Sequence, residues 1–405
     1  MKKILILGAG VYQVPLIKTA KRLGLYTIVC SIPGNYPGFK EADKVVYENT
    51  VDYEAILKVA KEENISGIVT AGTDVAVITI GKVCDELGLR GLSAAAAEIA
   101  SNKLKMKSRY EEYGVRTARF RKVALADEHY QDKFSDLEFP LIFKSVDSSG
   151  SRGITRVDSP ADFEKARNNA AENTHADHFI VEEFIEGDEF GAQAFVQDGK
   201  VEFILPHGDY VFKGDTGVPI GHYAPFESLT QGHVSEECLA DIREQLEKAI
   251  AAMSLDNCAI NADFIMKDNK TFVLELGGRS GATCLAELVS IYYGYDYYEK
   301  IIRVALGEKV SFEPAEYRNG KPVLTPNASM LLSSDRDGII VTQEDRNPEN
   351  PNIVEVQFDC APGDEVHAFR VGPHRIGHVI TKGETLEAAT AELHRALENI
   401  TINVK

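Results

Sequence analysis

The chain has 405 residues, a formal net charge of -18, a pI near 5.1, 44% hydrophobic residues and 26% charged residues. That length exceeds one ordinary core and predicts two or three packed units, and the composition excludes fibrous and disordered classes. The acidic excess repels phosphate backbones and anionic lipids, no apolar run approaches the ~20 residues that cross a bilayer, and the six cysteines form no CxxC pair. No nucleic acid, no membrane and a cytoplasmic location are therefore the expectations, and the opening MKKILILGAG leads into a strand pattern with no cleavage site for export.

Short β-branched runs alternate with amphipathic stretches at the start: Lys3 to Leu7, Val14 to Leu23, Thr27 to Cys30, Tyr53 to Glu62, and Gly67 to Thr70. Strand alternating with helix predicts a parallel α/β sheet. Gly8-Ala9-Gly10 follows the first strand, but Gln13 stands where a dinucleotide-binding turn has its third glycine, so a tight structural turn is expected instead. Ala94 to Ala100 and Leu104 to Tyr113 read as helices, with a domain boundary near Leu92. From Phe139 to Gly307 the turns around Asp198-Gly199 and Asp268-Asn269 predict hairpins and antiparallel α+β structure. Beyond Gly307, strands are expected around Val323 to Leu332 and Ile353 to Asp359, then a helix from Leu386 to Ile400.

Three clusters carry chemistry. Lys144 ends an apolar strand and precedes a small-residue loop up to Gly153, with Arg152 in it, a pattern that can lay amides and a point charge on phosphate oxygens. Farther on, Phe179 to Glu189 gives two strands about a glycine, with Phe184 and Ile185 as an apolar slot for a purine and Glu189 as a carboxylate for ribose hydroxyls. In the third, a hairpin brings Asp263 and Glu275 near each other. Two adjacent carboxylates repel unless a cation sits between them, which suits Mg²⁺, and Arg279 beyond them can hold a transferring phosphoryl group.

Lys103, Lys144 with its loop, Glu182 to Glu189, and Asp263 with Glu275 and Arg279 occur in an order that resembles the ATP-grasp superfamily. The resemblance implies an N-terminal Rossmann-like domain over 1–92, an ATP-grasp domain of two antiparallel α+β lobes over 93–309, and a C-terminal α+β cap over 310–405. It implies ATP and Mg²⁺, with Mn²⁺ able to substitute. Lys103 and Lys144 would meet the phosphates, and Ser148, Ser149, Gly150, Ser151 and Gly153 would form the lid loop. Glu182, Glu183, Phe184 and Ile185 would hold adenine, Glu189 the ribose, and Asp263 and Glu275 the metal. Gly277 departs from the family pattern, which often has asparagine there, so a metal ligand is lost. Arg279 and His222 are the expected catalytic residues, with His222 in the stretch where the family places substrate-facing loops.

The expected reaction joins a small-molecule carboxylate, activated as an acyl phosphate, to an amine. The alternatives are a bicarbonate-phosphorylating carboxylase or carbamoyl-phosphate-type enzyme, and a non-catalytic ATP-binding regulator. A homodimer is the commonest assembly for an enzyme of this size. The tyrosines between 292 and 298 read as core or subunit packing, and His374 and His378, among glycines and a proline, as a strand or hairpin rather than a metal-binding helix.

Overall fold

Strand β1 (Lys3–Leu7) is apolar from Ile4 to Leu7, and all four side chains are fully buried, as in a strand covered on both faces. In the computed structural model, which describes residues 1–148, 152–212, 218–227 and 234–405, β1 pairs in parallel with β2 (Tyr26–Ser31) and β4 (Gly67–Val69). With β3 (Lys44–Tyr47) the order is β3-β2-β1-β4. The crossover helix Tyr53–Glu63 starts at Asp52, whose carboxylate accepts from the Ala55 amide, and stops at Asn64 in the left-handed region. Gln13 closes the glycine turn: its Oε1 accepts from the Gly10 amide at 2.8 Å and its Nε2 donates to the Ala71 carbonyl. The turn is thus filled by the chain itself.

Strands β5 (Phe120–Ala124), β6 (Leu141–Ser145), β7 (Ile154–Val157) and β8 (His178–Glu183) form an antiparallel sheet in the order β5-β8-β6-β7. Its buried core, which includes Val123, Phe134, Phe143, Phe163, Phe179 and Val181, draws only on residues from 123 to 181.

The largest sheet has eight strands. β9 (Asp188–Gln197), β10 (Lys200–Val211), β11 (Pro219–Ala224), β12 (Cys258–Lys267) and β13 (Lys270–Gly277) run in the order β13-β12-β9-β10-β11. The sheet continues through the strands Asn327–Leu332, Gly377–Lys382 and Ile353–Phe358 of the C-terminal segment. Because strand side chains alternate, one face sends Phe190, Ala192, Phe264, Val273 and Leu276 into a core shared with Ile242, Leu246 and Ala249 of the helix Glu236–Met253. The other face is polar at its centre.

Some boundaries differ from expectation. The last helix ends at Glu398, and Ile400–Val404 is a strand paired with Gly338–Asp345, because Ile400, Ile402 and Val404 alternate with polar residues. The strand expected from Val323 begins at Asn327, just past Pro326. The helix that follows β13 begins at Leu285, since Thr283 and Cys284 take positive φ of 54° and 67°. His378 stands in a strand, and the cysteines are all free. No described helix is long and apolar enough to cross a membrane.

Candidate active site

Register builds the polar face. Asp263 on β12 pairs with Glu275 on β13 and, on its other side, with Gly191 on β9, which pairs in turn with His207 on β10. Asp209, two residues past His207 and so on the same face, pairs with His222 on β11. Leu274 is an extra residue in the ladder between the Phe264–Val273 and Asp263–Glu275 pairs, and that bulge sets Glu275 opposite Asp263. Gln193 and Asn261 continue the face, joined at 2.6 Å.

Burial, and then repulsion from Glu275, push the Asp263 carboxyl up to about 8. Glu275 is held at 3.1 Å by the Lys103 ammonium, which stays above its ordinary range because this attraction outweighs its burial. Burial opposes charge at Asp209 too, yet His222 and His207 hold its carboxyl well below the usual range. His222 Nδ1 is 2.6 Å from Asp209 Oδ1, and since an ionised carboxylate only accepts, His222 donates there, which in the neutral imidazole leaves Nε2 as the acceptor. His207 Nδ1 contacts the same oxygen at 3.2 Å, while its buried Nε2 has no hydrogen-bond partner. The three ligand atoms of His207, Asp209 and His222 lie within 4.8 Å of one another.

The smaller sheet brings up the other candidates. Lys144 Nζ donates to Glu182 at 2.9 Å, and Lys107 meets the same oxygen at 3.4 Å. Glu182 is almost wholly buried; these two cations outweigh the burial and hold its carboxyl below the ordinary range. Lys103 sits at the first position of the helix Lys103–Tyr113, capped by Asn102, and its Nζ donates to the Ser148 carbonyl at 2.7 Å. Gly153, at φ +69°, accepts from the Ser145 amide, and a Cβ there would come within 2.6 Å of Ser145 Oγ. Ser149, Gly150 and Ser151 lie outside the described residues.

Glu183 turns its carboxylate to Arg119 at 2.8 Å and accepts from the Glu138 amide. The Phe184 amide donates to the Pro140 carbonyl, and its ring lies 4.3 Å from the Arg156 guanidinium. Ile185 follows in the link to β9, where Glu189 is exposed on the polar face. Desolvation in this concave site, and next the charge of Asp209, raise the Glu189 carboxyl.

Arg279 makes a paired contact with Asp74, Nε at 2.8 Å and Nη2 at 2.7 Å, and its Nη1 donates to the Ser280 carbonyl. Two guanidinium N–H bonds are left over. Asp74, Lys107 and Asp209 were not singled out from the sequence. Lys107 is one helical turn beyond Lys103 and Asp209 is two strand residues beyond His207, so periodicity pointed to both. Asp74, in the turn after β4, carried no such signal.

Residues 137–287 match the ATP-grasp domain family, and residues 330–405 match the L-amino acid ligase C-terminal domain 2. The crystal structure of phosphoribosylglycinamide synthetase from Anaerococcus prevotii is 34% identical, with all of both chains covered and a TM-score of 0.83. The chain belongs to the ATP-grasp family. The L-amino acid ligase of Bacillus licheniformis has a similar fold at 20% identity, covering 100% of this chain and 99% of that one at a TM-score of 0.79. Alanine–anticapsin ligase of Bacillus subtilis is 25% identical over 267 residues, or 62% of this chain, and the match spans just over half (56%) of that ligase.

Proposed function

We propose that this ATP-grasp chain is an ATP- and Mg²⁺-dependent ligase that phosphorylates a small-molecule carboxylate and passes the acyl group to an amine, releasing ADP and phosphate. The observation that carries the reading is the single sheet face that holds Asp263 and Glu275 in register, with Lys103 on Glu275 and Arg279 just beyond the end of β13. A hard divalent cation fits Asp263 and Glu275, because burial and then the charge of Glu275 force the Asp263 carboxyl up, and a cation between the two would relieve both. When bound, Mg²⁺ or Mn²⁺ supplies charge that offsets the phosphate oxygens.

In this reading Lys103 and Lys144 hold phosphates and the loop from Ser148 to Gly153 covers them. Glu182, Glu183, Phe184 and Ile185 bound the base, and Glu189 takes the ribose. With the Phe184 amide engaged by Pro140, the free contacts for the base fall to the neighbouring backbone and the apolar surface. The substrate carboxylate attacks the γ-phosphorus, ADP leaves, and the two N–H bonds of Arg279 not used by Asp74 and Ser280 meet the acyl phosphate. The amine then attacks the acyl carbon, phosphate departs, and His222 Nε2 takes the amine proton. The divisions near 92 and 309, a homodimer and a cytoplasmic setting complete the proposal.

The test is phosphate release from Mg-ATP across amino-acid pairs, bicarbonate and sugar acids, with the Glu275→Gln protein as blank. Release that needs a carboxylate and an amine together, with an amide product by mass spectrometry, is the expected result. Release driven by bicarbonate alone would replace the ligase reading with a carboxylating one.

A further inference from the structure

Beside the catalytic face, a cavity of about 520 Å³ opens between the start of the first helix, the turn from Gly281 into the helix Leu285–Tyr293, and the C-terminal strands. Its size falls in the range of small-molecule sites. It adjoins the metal face through Gly281, whose amide donates to Gln193 Oε1 at 2.9 Å. Tyr12, Pro15, Val354 and Ile380 give it an apolar side.

The charges lining it are already committed, with one exception. Arg375 is buried, with Nε on Asp359 at 2.6 Å and Nη2 on His378 Nδ1 at 2.6 Å. A guanidinium only donates, so His378 Nδ1 accepts and its Nε2–H faces Glu355 at 3.0 Å. Asp296 pairs with Arg22, and Lys18 stands exposed at the rim opposite Glu41. Glu287, in the first turn of the helix, receives a hydrogen bond from the Tyr298 hydroxyl at 3.0 Å and forms no ion pair among the described residues. Desolvation raises its carboxyl above the ordinary range, outweighing the Tyr298 hydrogen bond and the more distant charges of His378 and Arg375.

We propose that this cavity takes a ligand with a free ammonium group, such as an α-amino acid, seated on Glu287, and rejects phosphate monoesters. An ammonium supplies the direct ion-pair partner Glu287 lacks and forms a charge-assisted hydrogen bond with it. A phosphate monoester brings about two negative charges at neutral pH. It would meet Glu287, Glu355 and Asp296, with the cavity's one described arginine already tied to Asp359. This separates the chain from a phosphoribosyl substrate of the kind named for the relative from Anaerococcus prevotii. The inference rests on the ligase reading for what happens next to the bound amino acid, though not for its binding.

The test is calorimetry on the full chain with each of the twenty L-amino acids and with ribose 5-phosphate, followed by the N-acetyl derivative of the tightest amino acid. Expected are millimolar or tighter binding of at least one amino acid, none of ribose 5-phosphate, and a loss of about tenfold or more on acetylation. Glu287→Gln should weaken the free amino acid by about the same factor and leave the acetylated form unchanged. Acetylation on the wild-type protein gives the answer without any variant. Binding of ribose 5-phosphate, equal binding of the acetylated ligand, or silence from every amino acid would overturn the proposal. Amino-acid binding without ATP-dependent amide formation would instead overturn the ligase reading and leave this one standing.

Discussion

Lys107 offers a quantitative test of the charge arrangement beneath the nucleotide site. Its side chain is 2% exposed, and burial, against the pull of Glu182 and with repulsion from Lys144, brings its ammonium from 10.5 down to about 8. The unfolded chain keeps that proton up to about pH 10.5, whereas the folded protein releases it near pH 8. Between those values the unfolded state binds more protons, so stability rises with pH. The contribution is fully present above about 10.5 and is lost as pH falls through about 8. At ~1.4 kcal/mol per pH unit the span amounts to about 3 kcal/mol. Lys107→Met removes this titration and leaves the other groups in place. Urea unfolding followed by circular dichroism, at steps from pH 7.5 to 10, should show wild type gaining about 2 kcal/mol relative to the variant, with equal m-values. A difference that stays flat with pH would show that Lys107 is not held in the low-dielectric pocket described.

Three further outcomes are expected. Glu275→Gln should abolish ATP turnover while the fold is kept, since the relief of repulsion on Asp263 offsets the loss of the Lys103 pair; a variant as active as wild type would remove Glu275 from the metal site. Gly191→Ala places a Cβ 2.3 Å from His207 Cε1, so unfolding should cost about 1–3 kcal/mol less, and an unchanged melting curve would count against the close packing of His207 over β9. Asp74→Asn takes one charge from the Arg279 pair, and denaturation should report a loss of about 2 kcal/mol together with slower ATP turnover; full activity would mean that Asp74 does not set the guanidinium's position.

The hairpins of the central sheet were legible because Asp198, Asp268 and Asn269 take the left-handed conformations their turns require. The hairpin joining β12 and β13 in turn made the nearness of Asp263 and Glu275 legible. What sequence could not give was the bulge: without Leu274 as an extra residue, Asp263 would face Leu274 and Glu275 would fall on the apolar face. Asp74 and Arg279 are 205 residues apart and meet only through tertiary packing. The Nδ1 contact of His222 likewise depends on Asp209, which strand pairing alone brings beside it. Gln13 shows the reverse case, where one unexpected residue in a glycine turn announced the hydrogen bonds that close it.

The sheet β5-β8-β6-β7 has a core of its own, and many of its attachments to the rest of the molecule are polar: the Lys103 amide on the Val146 carbonyl, Lys103 Nζ on the Ser148 carbonyl, and Lys107 on Glu182. The eight-stranded sheet, by contrast, carries the carboxylates proposed to hold the metal and one wall of the cavity proposed for an amino acid on a single hydrogen-bonded frame. Moving the small sheet as a body would leave that core intact, while moving the cavity wall relative to Asp263 would break ladders. Lys103, proposed to meet phosphate, is therefore also one of the groups that fasten the small sheet to the rest of the chain.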